Sequence, residues 1–507
     1  MGVRLRIVIL CAGFMALAIA VRAARLQLVP HAKLAAMARR QYQAVPVMQA
    51  RGQLRDRNQR LLVASANVKS FASHPQKIER LQQSAKMIGR CLHQKLISKL
   101  QTDRPFVWLK RHVTAKEQVC LERALHEIVA RGESPLAFFF RHESARAYPH
   151  GLLARSLFGS LGIDGNGIDG LELALDQELK EHDVTLELDI VLQTMMEEAL
   201  GRAHTAFAAD GALAIAMDAQ TGAILAIAQH DGSIRMRAIT DGFEPGSTMK
   251  PLLALGALHE GFHLNDRFWG GNGAFRIGRH TVKEADGHAF GWITLERMLQ
   301  VSSNIVAAKL ALALGPDKAR AIASRFGLGQ KTGIDFPGEF GGKMPRQLKG
   351  LDLASFGFGY GLLVTPLQML RAFASFANGG YLVEPHFQKK ETKKERIWEE
   401  GAAQAMGRAL SIGPDSTGIL AAVDGLQIAG KTGTAQMLSD GHYSHDRHIA
   451  SFIGFARDTR PVVLFVALSA PQGAYYASKT AAPLFHEIYE KIALSLGLHV
   501  AKQDAHK

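Results

Sequence analysis

Glu244-Pro245-Gly246-Ser247-Thr248-Met249-Lys250-Pro251 leads into an apolar run, Leu252 to Leu258, broken only by Gly256. Pro245 and Gly246 end whatever precedes them, and Ser247 is a favoured N-cap residue, so the stretch predicts a helix beginning at Ser247. On that helix Ser247 and Lys250 are i and i+3 and share a face. A hydroxyl and an amine held together at a helix N-terminus suit a nucleophile and its base. Desolvation by the apolar helix and the positive end of its dipole both push Lys250 towards the neutral form. A neutral amine beside Ser247 can take the hydroxyl proton as the oxygen attacks a carbonyl. By itself S-x-x-K also describes a capped helix with a solvated lysine, so the rest of the chain decides between the two.

Just upstream, Ala212 to Met217, the turn Asp218-Ala219-Gln220-Thr221-Gly222 and Ala223 to Ile227 read as strand, turn, strand. Downstream, helical spacing runs through Leu295–Gln300, Ile305–Leu314, Ala319–Phe326 and Pro366–Ala377. Apolar strand runs follow at Leu426–Ala429, Ile449–Phe455 and Pro461–Leu468, and a helix closes the pattern at Ala481–Leu496. Strands at both ends with helices between them predict an α+β fold, an antiparallel sheet flanked by helices. Residues 29–205 read as a separate mixed α/β module. Gln41–Met48 is extended there, and Arg51–Gln59 is a strand entering a turn. Helices are expected near Lys77–Leu100 and Ala115–Ala130, a glycine-rich loop at Gly162–Gly170, and helical spacing at Leu171–Leu179. Nothing in that module assembles a nucleophile with a base, so it reads as a non-catalytic scaffold.

Two more clusters carry chemistry. Ser302-Ser303-Asn304 lies between two helical runs. It is a natural helix cap, but a hydroxyl there can shuttle a proton to a leaving amine and an amide can hold a peptide backbone. Lys431-Thr432-Gly433-Thr434 follows the apolar Leu426–Ala429 run. Gly430 and Gly433 let another backbone approach this strand. Lys431 brings a charge for a carboxylate or for the serine pair, Thr432 and Thr434 bring hydroxyls, and the Thr434 N–H with that of Ser247 can form an oxyanion hole. Gly425 to Thr432 also spells the phosphate-loop pattern G-x-x-x-x-G-K-[ST]. That motif needs a flexible turn with its lysine at a helix start. Leu426–Ala429 is strand-like and Gly433 opposes a helix, so the strand reading is preferred. Lys331-Thr332-Gly333 is a second K-T-G, in a turn-rich connection. His442, His445 and His448 recur at a spacing that suits zinc, but only Asp440 and Asp446 accompany them. A solvated loop is expected there, with no metal and no organic cofactor.

S-x-x-K, S-x-N and K-T-G in that order are the signature of penicillin-recognising serine acyltransferases. Together with Arg51–Asn58, Gly167–Glu172, Arg237–Asp241 and Gly357–Gln368, these motifs make the chain resemble class B penicillin-binding proteins of the FtsI type. The resemblance implies that Ser247, assisted by Lys250, attacks the carbonyl between two D-alanines. Ser302 then relays the proton to the leaving D-alanine and Asn304 holds the donor. Lys431, Thr432, Gly433 and Thr434 bind the terminal carboxylate. It further implies covalent binding of β-lactams and cross-linking of stem peptides on lipid II-derived glycan strands during septal wall synthesis. The implied partners are a SEDS-family glycosyltransferase and other division membrane proteins. An elongation-type transpeptidase is the nearest alternative, followed by a D,D-carboxypeptidase, a β-lactamase or a penicillin sensor. The chain departs from the family at Gln59, where glycine is usual, at Met236, where asparagine is usual, and in a shortened segment between Glu172 and Leu186. Glu339 stands where a class A β-lactamase would carry its deacylating glutamate, but Lys343 occupies the place of that group's asparagine.

The whole chain fits an exported wall enzyme. Its 507 residues, 47% of them hydrophobic, carry a formal net charge of +14, which favours an anionic neighbour. No nucleic-acid signature accompanies the charge. Met1–Arg6 is short and basic, and Ile7–Val21 is uncharged and apolar, about 22 Å of helix against a hydrocarbon core of roughly 30 Å. Its small-x-small sites lie inside the apolar run without a polar segment before them, which argues against cleavage. The expected organisation is a cytoplasmic tail at 1–6, a transmembrane signal-anchor at 7–28, a pedestal at 29–205, a transpeptidase domain at 206–497 and a polar tail at 498–507. That makes a single-pass inner-membrane protein facing the periplasm. Cys91 and Cys120 can pair only in an exported domain.

Overall fold

The computed structural model describes residues 2, 13–19, 21–22, 51–162, 164–439, 442–457 and 460–498. Most of the expected anchor, the extended stretch Gln41–Met48 and nearly all of the polar tail lie outside them. Residues 13–19 and 21–22 are helical. Among the described residues no helix is long and apolar enough to cross a membrane. The chain divides into two compact units, Met1–Ala50 with Asn67–Ser144, and Arg51–Ala66 with Ala145–Lys507.

In the first unit the end of strand β1 (Leu61–Ser73) pairs antiparallel with β2 (Val107–Lys110). Helices α1 (Leu81–Leu92) and α2 (Ala115–Ala130) share its core with Phe71, Leu109 and Phe138. The helix expected over Lys77–Leu100 is broken: His93 ends α1 in a left-handed conformation (φ 53°), and one short turn resumes at Ile97–Leu100. α2 starts where the sequence places it, because Thr114 and Glu117 form a reciprocal capping box. A disulfide joins Cys91 of α1 to Cys120 of α2.

The second unit contains the helix α3 (Ile190–Ala206), strands β3 (Gly211–Asp218) and β4 (Ile224–His230), and helix α4 (Lys250–His259). A ribbon, β5 (Ala274–Ile277) with β6 (His280–Lys283), precedes α5 (Leu295–Val301), α6 (Asn304–Leu314) and α7 (Pro366–Ala377). The chain returns as β7 (Ile428–Ser439), β8 (His442–Ala456) and β9 (Val462–Ser469), and ends in α8 (Ala481–Leu496). The five strands form one antiparallel sheet in the order β7-β8-β9-β3-β4. Both of its faces are buried, so its strands read as continuous apolar runs. Ala212, Ala214 and Ala216 face the same core as α3 and α8, where small side chains let the helices come close, while Ile215 and Met217 face the core of α4 and α7. Tyr489 of α8 fixes that helix to the sheet, donating to Val462 O (2.9 Å) and accepting from Ala456 N (2.8 Å).

Two of the sequence segments that carry the family resemblance meet here. Arg51 Nε and Arg146 Nε each lie 2.7 Å from an oxygen of the buried Glu172 carboxylate, and Arg51 also reaches Asp176 at 2.7 Å. Charges so placed hold geometry because loss of one partner leaves the others buried and unpaired. Gln59, in the position usually given to glycine, takes a positive φ of 65°.

The disulfide closes a long loop of the unfolded chain. Replacing Cys91 and Cys120 together by serine should therefore lower the urea-unfolding free energy of the first unit by about 2–4 kcal/mol. Unchanged stability would show that the bond contributes nothing to that unit.

Candidate active site

The nucleophile stretch differs from its expected form. Gly246–Met249 is a 3₁₀ turn and the α-helix begins only at Lys250, so Ser247 is not a helix N-cap. Two local features move the start. Pro251 enters α4 at a first-turn position, where its missing N–H costs nothing. Gly246, at φ 55°, donates its N–H to Gly359 O (3.2 Å), which turns the chain before Ser247. Thr248 Oγ1 donates to Pro245 O (2.6 Å) and closes the turn. Ser247 is half-buried, and its hydroxyl is left free of capping.

Lys250 is buried, and its Nζ is within hydrogen-bond distance of Ser302 O (2.6 Å), Ser302 Oγ (3.1 Å) and Asn304 Oδ1 (2.8 Å). Among the described residues no hydrogen bond joins it to Ser247 Oγ. Burial pushes its pKa well below the usual lysine range, and the charge of Lys431 pushes the same way against the opposing pull of Glu284. A neutral Nζ keeps two donors for Ser302 O and Asn304 Oδ1 and turns its lone pair to a hydroxyl proton. Ser302 ends α5 in the left-handed region (φ 59°), an uncommon place for a non-glycine residue and one that clusters at functional sites. Ser303, not Ser302, caps α6.

Glu284, at the end of β6, holds this element from behind. It accepts from Ser303 Oγ, from Asn304 N (2.6 Å) and from Ile305 N (3.2 Å). Sequence reasoning missed it, because the ribbon that delivers it has no chemical motif. Glu244 was missed too, although it opens the stretch that carries Ser247 and Lys250. Its buried carboxyl accepts from Gly361 N (2.7 Å) and Tyr443 OH (3.0 Å), and burial raises its pKa.

β7 supplies the opposite wall. Lys431 lies inside this strand, paired with Ile453 of β8, so the Gly425–Thr432 stretch does not form the turn and helix start of a phosphate loop. The outer edge of β7 is met at two points: Gly430 N donates to Leu410 O (3.0 Å) and Gln436 N to Tyr360 OH (3.3 Å). By the two-residue period, the N–H groups of Thr432 and Thr434 point to the same outer side. Gly433 lets the nucleophile turn sit against the strand. A Cβ there would lie 2.6 Å from Ser451 Oγ, 3.0 Å from Thr248 Cγ2 and 3.1 Å from Pro245 O. Lys431 is buried, which pushes its pKa down to about 7. Thr432 Oγ1 lies 2.9 Å from Thr417 Oγ1, and Thr434 Oγ1 accepts from Ala477 N (3.1 Å).

The histidine-rich segment is not the solvated loop expected from its polarity. It is the first half of β8, because the hairpin ladder continues past the apolar residues, and His448 is buried opposite Gln436. Among the described residues no cluster is arranged to hold a metal. Glu339 accepts from Thr332 N and Thr332 Oγ1, both at 2.6 Å, and ties the second K-T-G into its own connection.

Residues 212–490 match the family described as penicillin binding protein transpeptidase domain. The chain belongs to the class B penicillin-binding proteins. The probable peptidoglycan D,D-transpeptidase PenA of Neisseria gonorrhoeae is 30% identical, over 91% of this chain and 86% of that protein. The peptidoglycan D,D-transpeptidase FtsI of Escherichia coli K12 is also 30% identical, over 87% and 83%. Stage V sporulation protein D of Bacillus subtilis is 29% identical, over 99% and 87%. Among solved structures, a peptidoglycan synthetase from Bifidobacterium adolescentis shares the fold, with a TM-score of 0.71 at 22% identity over 91% of this chain and 98% of that one.

Gly433→Ala should slow acylation by a β-lactam by about 10²-fold, the scale of a small misplacement of reacting groups. A wild-type rate in stopped-flow acylation would show that the turn does not need this approach. Glu244 supplies a pH test. Its carboxyl is raised in the folded state, so its stabilising effect is complete below the unfolded pKa and fades as pH rises through the folded one. Glu244→Gln should remove that part of the pH dependence of thermal unfolding, and superimposable profiles would contradict the assignment.

Proposed function

We propose that this penicillin-binding protein is a peptidoglycan D,D-transpeptidase acting through an acyl-serine. The observation that carries the reading is the joining of Lys250 to Ser302 and Asn304 beside a serine turn set against an open strand edge. A donor peptide adds its backbone to the outer side of β7, and Lys431, Thr432 and Thr434, with close approach allowed at Gly433, receive its terminal carboxylate. The N–H groups of Ser247 and Thr434 face the carbonyl oxygen and stabilise the charge that develops on it. Ser247 Oγ bonds to the carbonyl carbon as its proton passes to neutral Lys250. The C–N bond then breaks, and the leaving D-alanine amine takes that proton through Ser302. An acceptor amine attacks the ester, forms the new amide and returns a proton to Ser247. No metal or cofactor enters these steps.

We assign the reaction to septal wall synthesis beside a SEDS-family glycosyltransferase, on the outer face of the inner membrane behind an uncleaved anchor at 7–28. The apolar run at 7–21 and the Cys91–Cys120 bond, which requires an oxidising compartment, support export. The relatives' names support wall synthesis, with FtsI favouring division over elongation.

Ser247→Ala should abolish covalent labelling by a fluorescent penicillin with no change in melting temperature, since the hydroxyl has no hydrogen-bond partner among the described residues. Labelling that survives would remove Ser247 from the nucleophile's role. Lys431→Ala should slow acylation about 10²–10⁴-fold, and Lys431→Arg should restore only part of it, because a planar guanidinium replaces a compact ammonium. With Lys431 deprotonating near 7, kcat/KM should fall as pH rises through that value, and a flat alkaline limb would refute a charged Lys431 in the free enzyme.

A further inference from the structure

β5 and β6 form an antiparallel ribbon in which Thr281 stands opposite Arg276, Val282 opposite Phe275 and Lys283 opposite Ala274. Val282, Phe275 and Ile277 turn inward onto Ile305 and Ala308 of α6. Strand alternation therefore turns Arg276, Thr281 and Lys283 outward, with Arg279 at the connecting turn, and all four are exposed. Arg276 Nε donates to Gly278 O and Arg279 Nε to His280 Nε2, so neither guanidinium meets a carboxylate among the described residues. The carboxylate that follows the ribbon, Glu284, is buried beneath it and committed to Ser303, Asn304 and Ile305. Among the described residues the outward face thus carries cations that no carboxylate neutralises.

The base of the ribbon adjoins the reacting groups. Lys283 O accepts from Asn304 Nδ2 (3.2 Å), so the cationic strand continues the wall formed by Ser302 and Asn304. With the donor along β7 on one side of Ser247, an incoming amine has the opposite wall left to approach over. We propose that the outward face of the ribbon, through Arg276, Arg279 and Lys283, docks an acidic peptide that carries the acceptor amine. Charge complementarity favours that occupant, since a row of exposed cations recognises carboxylates spaced along an extended chain. The inference rests on the transpeptidase reading above and adds the side and the chemistry of its second substrate.

The test compares two synthetic acceptors, a peptide with one amine and two free carboxylates and the same peptide with both carboxylates amidated. Acyl transfer to each from a D-alanyl-D-alanine donor is measured in the wild type, in Arg276→Glu/Arg279→Glu and in Arg276→Lys/Arg279→Lys. In the charge-reversed protein the apparent KM for the acidic acceptor should rise about tenfold, the scale of two exposed ion pairs turned repulsive. The KM for the amidated twin should not move, and the lysine pair should behave like the wild type. β-Lactam acylation should stay within about twofold throughout, as for surface changes away from a reacting site. Equal use of both acceptors by the wild type overturns the inference, as does an unchanged KM in the charge-reversed protein. A parallel fall in β-lactam acylation overturns it too, because the ribbon would then act by shifting Ser302 and Asn304. A wild type that β-lactams never acylate refutes the transpeptidase reading itself, which is a separate outcome.

Discussion

Ser247 reaches its place because three glycines let backbones approach where side chains would collide. Gly433 admits the 245–248 turn onto β7, and a Cβ at Gly359 would lie 2.1 Å from Gly246 O. Gly246 itself needs the positive φ that an L side chain resists. The turn is therefore gripped between a strand and a loop from distant parts of the chain. Among the described residues its serine hydroxyl has no hydrogen-bond partner, which leaves it free to react. Position comes from the steric fit of the turn rather than from a bond to the hydroxyl.

The same fit brings two buried lysines near each other, and burial makes their roles differ. Each loses solvation, and the charge of Lys431 makes a second charge at Lys250 still less favourable. Lys250 has three oxygens around its Nζ, so the neutral amine stays oriented when its proton is gone. Among the described residues Lys431 has only the carbonyl and hydroxyl of its neighbour Thr432, each at 3.2 Å, and is the better placed to take an anion from outside. A base and an anion holder arise from the same residue type through different surroundings.

Much of this was legible in the sequence because the signals were local. The apolar strands, α7, α8 and the three motifs lie where spacing puts them, and the Gly433 approach follows from its place in a strand. The 3₁₀ turn at Gly246–Met249 escaped, since its cause, the bond to Gly359, lies more than a hundred residues away. The histidine segment misled because polarity is a poor guide where an antiparallel hairpin extends beyond the core and its ladder no longer needs apolar side chains. Glu284 was invisible for the same reason as Glu172's pairing with Arg51 and Arg146. A buried carboxylate is recognised by its partners, and those partners are assembled only by the fold.

The open side of β7 has a further consequence. An exposed strand edge invites any extended chain, including another copy of the same protein. Here Leu410 occupies the ladder at Gly430 and Tyr360 occupies it at Gln436, and between them, among the described residues, the N–H groups of Thr432 and Thr434 have no partner. The gap between those two contacts has the width of the end of a short peptide, and a second strand laid along it would meet Leu410 and Tyr360 on either side. It also reads main chain rather than side chains, so the length of the gap sets how much of a substrate is recognised.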